Sequence, residues 1–352
     1  MTCSVRVASD ADRQSWDDFH RSAATLHHAF DWGWRSIIRD TFGHKPLYFI
    51  ATDDSGQVQA AAPVFHVKSF LFGSALISVP YLNAGGIISK TDDAAEAVER
   101  AIDEKAKELG VDYVELRCRK VEPLLKGRYS PRSHKVAMEL QLTADPEEQF
   151  KTFPAKLRSQ IRRPTKSGLY VKVAPADQNY SEDFKGFYSV FAENMRDLGT
   201  PVYPKSLFSR TLKHFGKRAQ IITVWQEQRP LAAGITLQDR GHVEIPWASS
   251  LRKANKLSPN MLLYWESIKA ACQAGADVFD FGRSSPDSGT FRFKKQWGAE
   301  PVELCWYYHQ EMKKIPDINP NNPRFNAVVA CWKRLPIPVA NAIGPWITKA
   351  IP

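Results

Sequence analysis

Phe279-Asp280-Phe281-Gly282-Arg283-Ser284-Ser285-Pro286-Asp287-Ser288-Gly289-Thr290 runs on into Phe291-Arg292-Phe293-Lys294-Lys295-Gln296-Trp297-Gly298. An apolar strand carrying one acid closes on Gly-Arg, and a small polar loop then opens onto an aromatic segment with Arg292, Lys294 and Lys295. Strand ends and the loops after them are where α/β folds hold their ligands. Small residues let a ligand approach the backbone, and cations supply anion recognition. A solvated turn after a core strand is the competing reading of the same residues.

Working outward, the pattern occurs twice. Val111-Asp112-Tyr113-Val114-Glu115-Leu116-Arg117 resembles Ala276-Asp277-Val278-Phe279-Asp280-Phe281-Gly282-Arg283. A helix with a glycine stop precedes each copy: Asp93 to Leu109 before Gly110, and a helix from Ser258-Pro259 to Gly275. A hairpin precedes each helix, Tyr48–Thr52 with Val58–Val67 and Ile221–Trp225 with Leu231–Leu237, and Ala60-Ala61 and Ala232-Ala233 occupy matching places. The economical reading is an α/β (α+β) chain of two domains from one duplicated unit. Leu140 to Pro146 marks the boundary, giving domains at 1–143 and 144–311, with a linker and tail at 312–352.

The length of 352 residues fits two cores better than one. A net charge of +10 favours an anionic partner: a nucleotide, a phosphate or diphosphate, RNA or an acidic membrane surface. Five widely spaced cysteines without a Cys-x-x-Cys pair argue against a disulfide framework or a zinc site, and with no apolar signal core at the N-terminus they predict a cytoplasmic chain. The histidines form no metal spacing, and no metal is expected. The tail from Phe325 to Ile351 mixes Trp332 and Trp346 with cations and aliphatic residues; it either packs back on its own domain or lies as an amphipathic segment on the inner face of a membrane.

Lys156 to Lys166 holds five cations in eleven residues and no acid. At helical spacing Arg158 and Arg162 share a face, with Lys166 one turn on, while Leu157 and Ile161 point inward. This is either a comb for phosphates or a solvated helix face. Pro164 is expected to break or kink that helix. Asn83, in the glycine-rich turn after Ser78, and the loop with Arg252 and Lys253 before a capped helix are further candidates for ligand binding. Asp280 and Asp287 flank Arg283 and, with Glu244, are the candidate acids or bases.

Taken together these segments resemble the FemABX family over nearly the whole chain to about His309. The residues that carry the likeness are the basic run Lys156 to Gly168, Ser258 to Glu266, and Asp280-Phe281-Gly282-Arg283-Ser284-Ser285 with Lys294-Lys295-Gln296-Trp297-Gly298. The nearest match is the FemAB-like subgroup associated with exosortase and exopolysaccharide systems. The resemblance implies two tandem GNAT-like acyltransferase domains with mixed sheets flanked by helices. It implies transfer of an acyl or aminoacyl group to an amine on a saccharide or peptidoglycan-like precursor, with acyl-CoA or aminoacyl-tRNA as donor and no permanently bound cofactor. Asp280 or Asp287 would accept a proton or anchor the amine. Arg158, Arg162, Lys166, Arg252, Lys253, Arg283, Arg292, Lys295 and Asn83 would hold phosphate-bearing substrate, a saccharide precursor or tRNA; DNA is not expected. The loop from Arg252 to Leu257 has no glycine, and no long helical hairpin interrupts the second domain, two departures from the family pattern. A catalytically silent binding protein for a nucleotide- or lipid-linked saccharide is the alternative.

Overall fold

The computed structural model describes residues 3–23, 27–70, 72–119, 125, 128–178, 180–309 and 326–351. Over these the chain forms two compact units, Met1–Val136 with Val302–Ile318 and Lys349–Pro352, and Ala137–Pro301 with Asn319–Thr348. Each is a mixed α/β unit. Of the linker and tail expected at 312–352, residues 312–325 lie outside the described residues.

The first unit runs β1 (Ser4–Val7), α1 (Arg13–Ser22), α2 (Trp34–Phe42), β2 (Lys45–Thr52), β3 (Val58–Ser69), β4 (Gly73–Ser78), β5 (Ile88–Ser89), α3 (Asp92–Leu109), β6 (Tyr113–Cys118) and into β7 (Tyr129–Gln141), which crosses the unit boundary. Its strand order is β1-β2-β3-β4-β6, with β5 against β3. Period-two alternation sorts the side chains. Leu47, Phe49 and Ala51 bury against Val98, Ile102 and Ala106 of α3. The intervening Tyr48 instead meets Trp16 at 4.8 Å between ring centres. Helix α3 starts on Thr91, whose hydroxyl accepts from the Ala94 N–H, and stops at Gly110 in the left-handed region, as its sequence predicts.

The second unit continues with α4 (Pro146–Thr152), α5 (Ala155–Lys166), β8 (Leu169–Pro175), α6 (Ser181–Leu198), α7 (Lys205–Phe215), β9 (Ala219–Gln226), β10 (Arg229–Asp239), β11 (His242–Ser250), α8 (Pro259–Gln273), β12 (Val278–Ser284) and α9 (Gly289–Lys295). The strand β13 (Glu300–His309) then returns to the first unit, where it pairs antiparallel with β6. The order in the second unit is β12-β11-β10-β9-β8. One face is sealed by Phe187 and Phe208 against Trp247, with Phe208 and Trp247 at 5.1 Å. The aromatic cluster of Tyr264, Phe281 and Trp297 packs α8 and α9 against β12.

Two expectations need correction, and the tail takes the first of its two readings. Helix α5 passes through Pro164 and ends at Lys166. In the last turn proline forfeits only the bond to the Gln160 carbonyl, and Ser167 and Gly168 close the helix on Pro164 and Thr165. Ser258 precedes α8 in the left-handed region at φ +56° and makes no side-chain cap. The tail forms α10 (Asn326–Lys333) and α11 (Ile337–Thr348), which pack back on the second unit: Trp332 is buried and Arg196 Nη1 donates to the Leu335 carbonyl at 2.9 Å.

Duplication is visible in the backbone. Parallel pairing of β4 with β6 spans Ala75↔Tyr113 to Ile77↔Glu115, and that of β11 with β12 spans His242↔Val278 to Glu244↔Asp280. Each pairing ends on an acid. A Cβ built on Gly73 would lie 2.1 Å from an Asp112 carboxylate oxygen, and one built on Gly241 would lie 2.1 Å from an Asp277 oxygen. Two glycines therefore seat two equivalent aspartates at the start of equivalent strands.

Candidate active site

Beyond their paired segments the two parallel strand pairs differ. In the first unit the chain fills its own strand ends. The Arg117 N–H donates to Ser78 Oγ at 2.7 Å, and the guanidinium donates to the Leu82 carbonyl at 2.8 Å and to Glu115 Oε1 at 2.5 Å. Arg117 also lies over the Trp306 ring at 4.4 Å. Gly86 presses so closely on Cys118 that a Cβ would stand 2.7 Å from its sulfur. Arginine, carboxylate and loop neutralise and occlude one another there.

In the second unit β11 carries an extra residue. Ile235 pairs with Trp247 and Leu237 with Glu244, so Thr236 alone faces Ile245 and Pro246. Such a bulge bends the strand and re-aims its groups. Proline also removes one N–H at this point. The ladder to β12 stops at Glu244↔Asp280, although β11 continues to Ser250 and β12 to Ser284. Opposite the bulge stands Gly282 at φ +74°, and a Cβ there would be 3.6 Å from the Ile245 carbonyl and 3.8 Å from Glu244 Oε1. The backbones approach closely at Gly282, and past Asp280 the ladder between the two strands stays open toward their carboxyl ends.

Ionisable groups surround this opening. Asp280 is fully buried, and its Oδ1 accepts from the Gly282 N–H at 2.7 Å. Lys294 on α9 is 6 % exposed and donates to the carbonyls of Gly282 at 2.9 Å and Arg283 at 3.0 Å. Burial pushes its ammonium down to about 8; Asp280 and Glu244 pull the other way, and Arg283 adds to the lowering. An ammonium has three N–H donors, and two are committed to these carbonyls. His242 Nε2 lies 3.7 Å from Glu139 Oε1 and 3.8 Å from Asp280 Oδ2. One donor atom from each of Glu139, His242 and Asp280 lies within 4.8 Å of the others. Two carboxylates and an imidazole are a donor set that suits a divalent cation.

Sequence reasoning selected Asp280, Arg283 and Glu244 from this group and missed Lys294, His242 and Glu139. Lys294 was legible as one of three cations after the loop; only the register of α9 distinguishes it from exposed Arg292 and Lys295. Glu139, His242 and Asp280 come from three strands, β7, β11 and β12, so no local spacing announces them.

The other candidates are placed as follows. Asp287 is exposed at φ +61° and its carbonyl accepts from Arg292 Nη1 at 2.8 Å. Lys295 pairs with Glu300 at 2.7 Å, and Lys253 with Glu193 at 2.8 Å. Arg252 is exposed just after β11, and Arg283 is exposed near the end of the parallel β12, so both stand at the carboxyl ends of neighbouring strands. Arg158 turns back to the Lys151 and Phe153 carbonyls at 3.1 and 3.0 Å, where it caps the end of α4. Arg162 lies over the Phe150 ring at 5.0 Å, and Lys166 is exposed. Asn83 belongs to the first unit, where its carbonyl accepts from Trp306 Nε1 at 3.2 Å.

Residues 152–295 match a family model described as an acetyltransferase (GNAT) domain. No curated protein matches the chain. Among solved structures the fold is similar to that of FemX, at TM-score 0.68 and 15% identity over 87% of this chain and 96% of that one. It is similar to L-PGS from Bacillus licheniformis at TM-score 0.57 and 13% identity, covering 88% and 95% of the two chains. A tandem GNAT protein from the clavulanic acid biosynthesis pathway gives TM-score 0.56 and 9% identity, covering 90% and 100%. At these identities the likeness is one of fold. An acetyltransferase (GNAT) domain at 152–295, within a fold shared with FemX and a tandem GNAT protein, supports an acyltransferase.

Proposed function

We propose that this chain transfers an activated acyl or aminoacyl group to an amine on a phosphate-bearing saccharide or peptidoglycan-like precursor, at the opening between β11 and β12. The observation that carries this reading is the buried Lys294 ammonium, fixed on two β12 carbonyls where the parallel ladder ends. The amine nitrogen attacks the acyl carbon and forms the amide bond. The bond to the thiol or hydroxyl leaving group breaks, and that group departs with a proton. Negative charge develops on the carbonyl oxygen, and the remaining N–H of Lys294 is the donor for it. The amine's surplus proton passes by way of the carboxylates of Asp280 and Glu244 to the departing group, so the proton the amine loses is the one the leaving group gains.

Arg252, Lys253, Arg283, Arg292 and Lys295 flank the strand ends as phosphate contacts, with Asp287 anchoring the incoming amine; Arg158, Arg162 and Lys166 on α5 and Asn83 extend the substrate surface. A cytoplasmic setting, the exosortase-associated subgroup and the choice between acyl-CoA and aminoacyl-tRNA belong to this reading. The fold likeness to a tandem GNAT protein solved without AcCoA supports a thioester donor, and the sequence resemblance to the FemABX family supports an envelope precursor as acceptor. The test is a mass-spectrometric transfer assay with pooled acyl-CoA or aminoacyl-tRNA donors and amino-sugar nucleotides or peptidoglycan precursors as acceptors. An acceptor that gains an acyl or aminoacyl mass with wild-type protein, and not with Lys294→Met, is the expected result. Equal transfer by both proteins removes Lys294 from the chemistry. Saturable binding of a nucleotide-sugar with no mass gain removes the transferase reading.

A further inference from the structure

Helix α11 is apolar on two sides, and among the described residues only one of them is buried against protein. Ala340, Gly344 and Thr348 recur at helical spacing and are buried. A Cβ on Gly344 would stand 2.9 Å from the Val202 backbone nitrogen, so the helix lies tight on the second unit through its small residues. The other side presents Val339, Ile343 and Trp346 at the spacing of successive turns, exposed by 43, 41 and 76 %. On α10 Val328 is exposed by 64 %. A single surface valine needs no explanation, whereas a stripe of large apolar groups ending in an exposed tryptophan does.

Charge identifies what covers it. From Asn326 to Ile351 there is no Asp or Glu, while Lys333 and Arg334 are exposed between the two helices. Where α11 meets α6 and α7, a cleft of about 300 Å³ is lined by Lys185, Lys205, Tyr188, Ile337 and Asn341 among others. Glu193 also lines it, and that acid is paired with Lys253. An apolar stripe on a segment with no acid of its own, beside exposed Lys333 and Arg334, is complementary to a bilayer surface rich in anionic headgroups. At twelve residues α11 is about 18 Å long, too short to cross a bilayer. No helix among the described residues is long and apolar enough to do so.

We propose that α10 and α11 seat this protein on an anionic lipid surface, with Val339, Ile343 and Trp346 in the headgroup boundary and Lys333 and Arg334 on the phosphates. The inference is independent of the acyl-transfer reading. The experiment is flotation of the full chain with vesicles of phosphatidylcholine alone or of equal parts phosphatidylcholine and phosphatidylglycerol. It compares wild type with Ile343→Ser/Trp346→Ser and with Lys333→Gln/Arg334→Gln. All four positions are exposed or half-exposed, and melting curves establish that each variant folds. Wild type is expected to float with the anionic vesicles only, and the apolar pair of substitutions to weaken binding at least tenfold. The charge pair is expected to weaken it several-fold, with a shallower salt dependence. Wild type that floats with neither vesicle, or an apolar variant that binds like wild type, overturns the proposal. So does a wild-type oligomer in solution that the apolar substitutions convert to monomer, because the stripe would then be covered by a second copy.

Discussion

The Lys294 ammonium and the Asp280 carboxylate are tied to the two ends of one glycine: Asp280 Oδ1 accepts from the Gly282 N–H at 2.7 Å, and Lys294 Nζ donates to the Gly282 carbonyl at 2.9 Å. The glycine holds φ +74°, which presents its N–H and carbonyl to these two groups. Lysine, aspartate and glycine thus form one device, and each part predicts a different loss.

Lys294→Met should lower kcat by about 100-fold or more while KM for either substrate changes only a few-fold, since a donor to the developing oxyanion acts in the transition state. In wild type the alkaline limb of kcat should fall with an apparent pKa near 8, where the ammonium is lost. A rate that rises through pH 8 would instead make Lys294 a base. Stability runs the opposite way. The folded-state value is below the ordinary 10.5, so the penalty of the buried charge is full below about pH 8 and is relieved as pH rises from there toward 10.5.

Asp280→Asn keeps an oxygen for the Gly282 N–H but removes the charge that supports the Lys294 ammonium. The alkaline limb of the pH–rate profile should move below 8, with the secondary structure unchanged by circular dichroism. An unmoved limb would separate the two residues electrostatically.

Gly282→Ala forces an L-residue into the left-handed region at a cost of about 1–2 kcal/mol. Thermal unfolding should show that loss, and activity should fall further than stability because both Lys294 acceptors, Gly282 and Arg283, shift. Gly56 also has positive φ, but a Cβ there meets nothing within 4 Å, so Gly56→Ala serves as the control for backbone strain alone.

Away from this site, burial pushes the Glu99 carboxyl up to about 7, with Arg128 opposing and Asp103 adding to the rise. Its folded-state value exceeds the ordinary 4.5, so stability declines as pH rises from about 4.5 to 7, and the penalty is complete above that. Glu99→Gln should therefore stabilise the protein at pH 8, on the order of 1 kcal/mol, and change little at pH 4.5. Melting curves at both values would check the sign.

Much of the fold was legible because its signals are local. The Asp93-to-Gly110 helix, the two hairpins and the two apolar strands closing on Arg117 and Arg283 rest on periodicity and glycine stops. The misreadings came from residues whose position in the local backbone the sequence does not announce. Pro164 is tolerated because its helix ends two residues later, and Ser258 is bent into a left-handed turn that leaves its hydroxyl out of the cap. The basic run on α5 reads as a uniform comb in sequence, yet Arg158 is spent on the carbonyls of α4. The candidate site was legible along β12 and at Glu244 of β11. Lys294 looks like its neighbours until α9 turns it inward, and Glu139 and His242 reach Asp280 only through strand order.

The extra residue at Ile245 and Pro246 also limits how this chain can change length. Downstream of it Trp247 and Ser249 are buried while Ala248 and Ser250 are half-exposed. Deleting one residue at the bulge would invert that alternation, swing Trp247 away from Phe208 and restore the ladder toward β12. The mouth on one side of β11 and the aromatic seal on the other therefore share a single reading frame in space, and a one-codon deletion would close the first and break the second together.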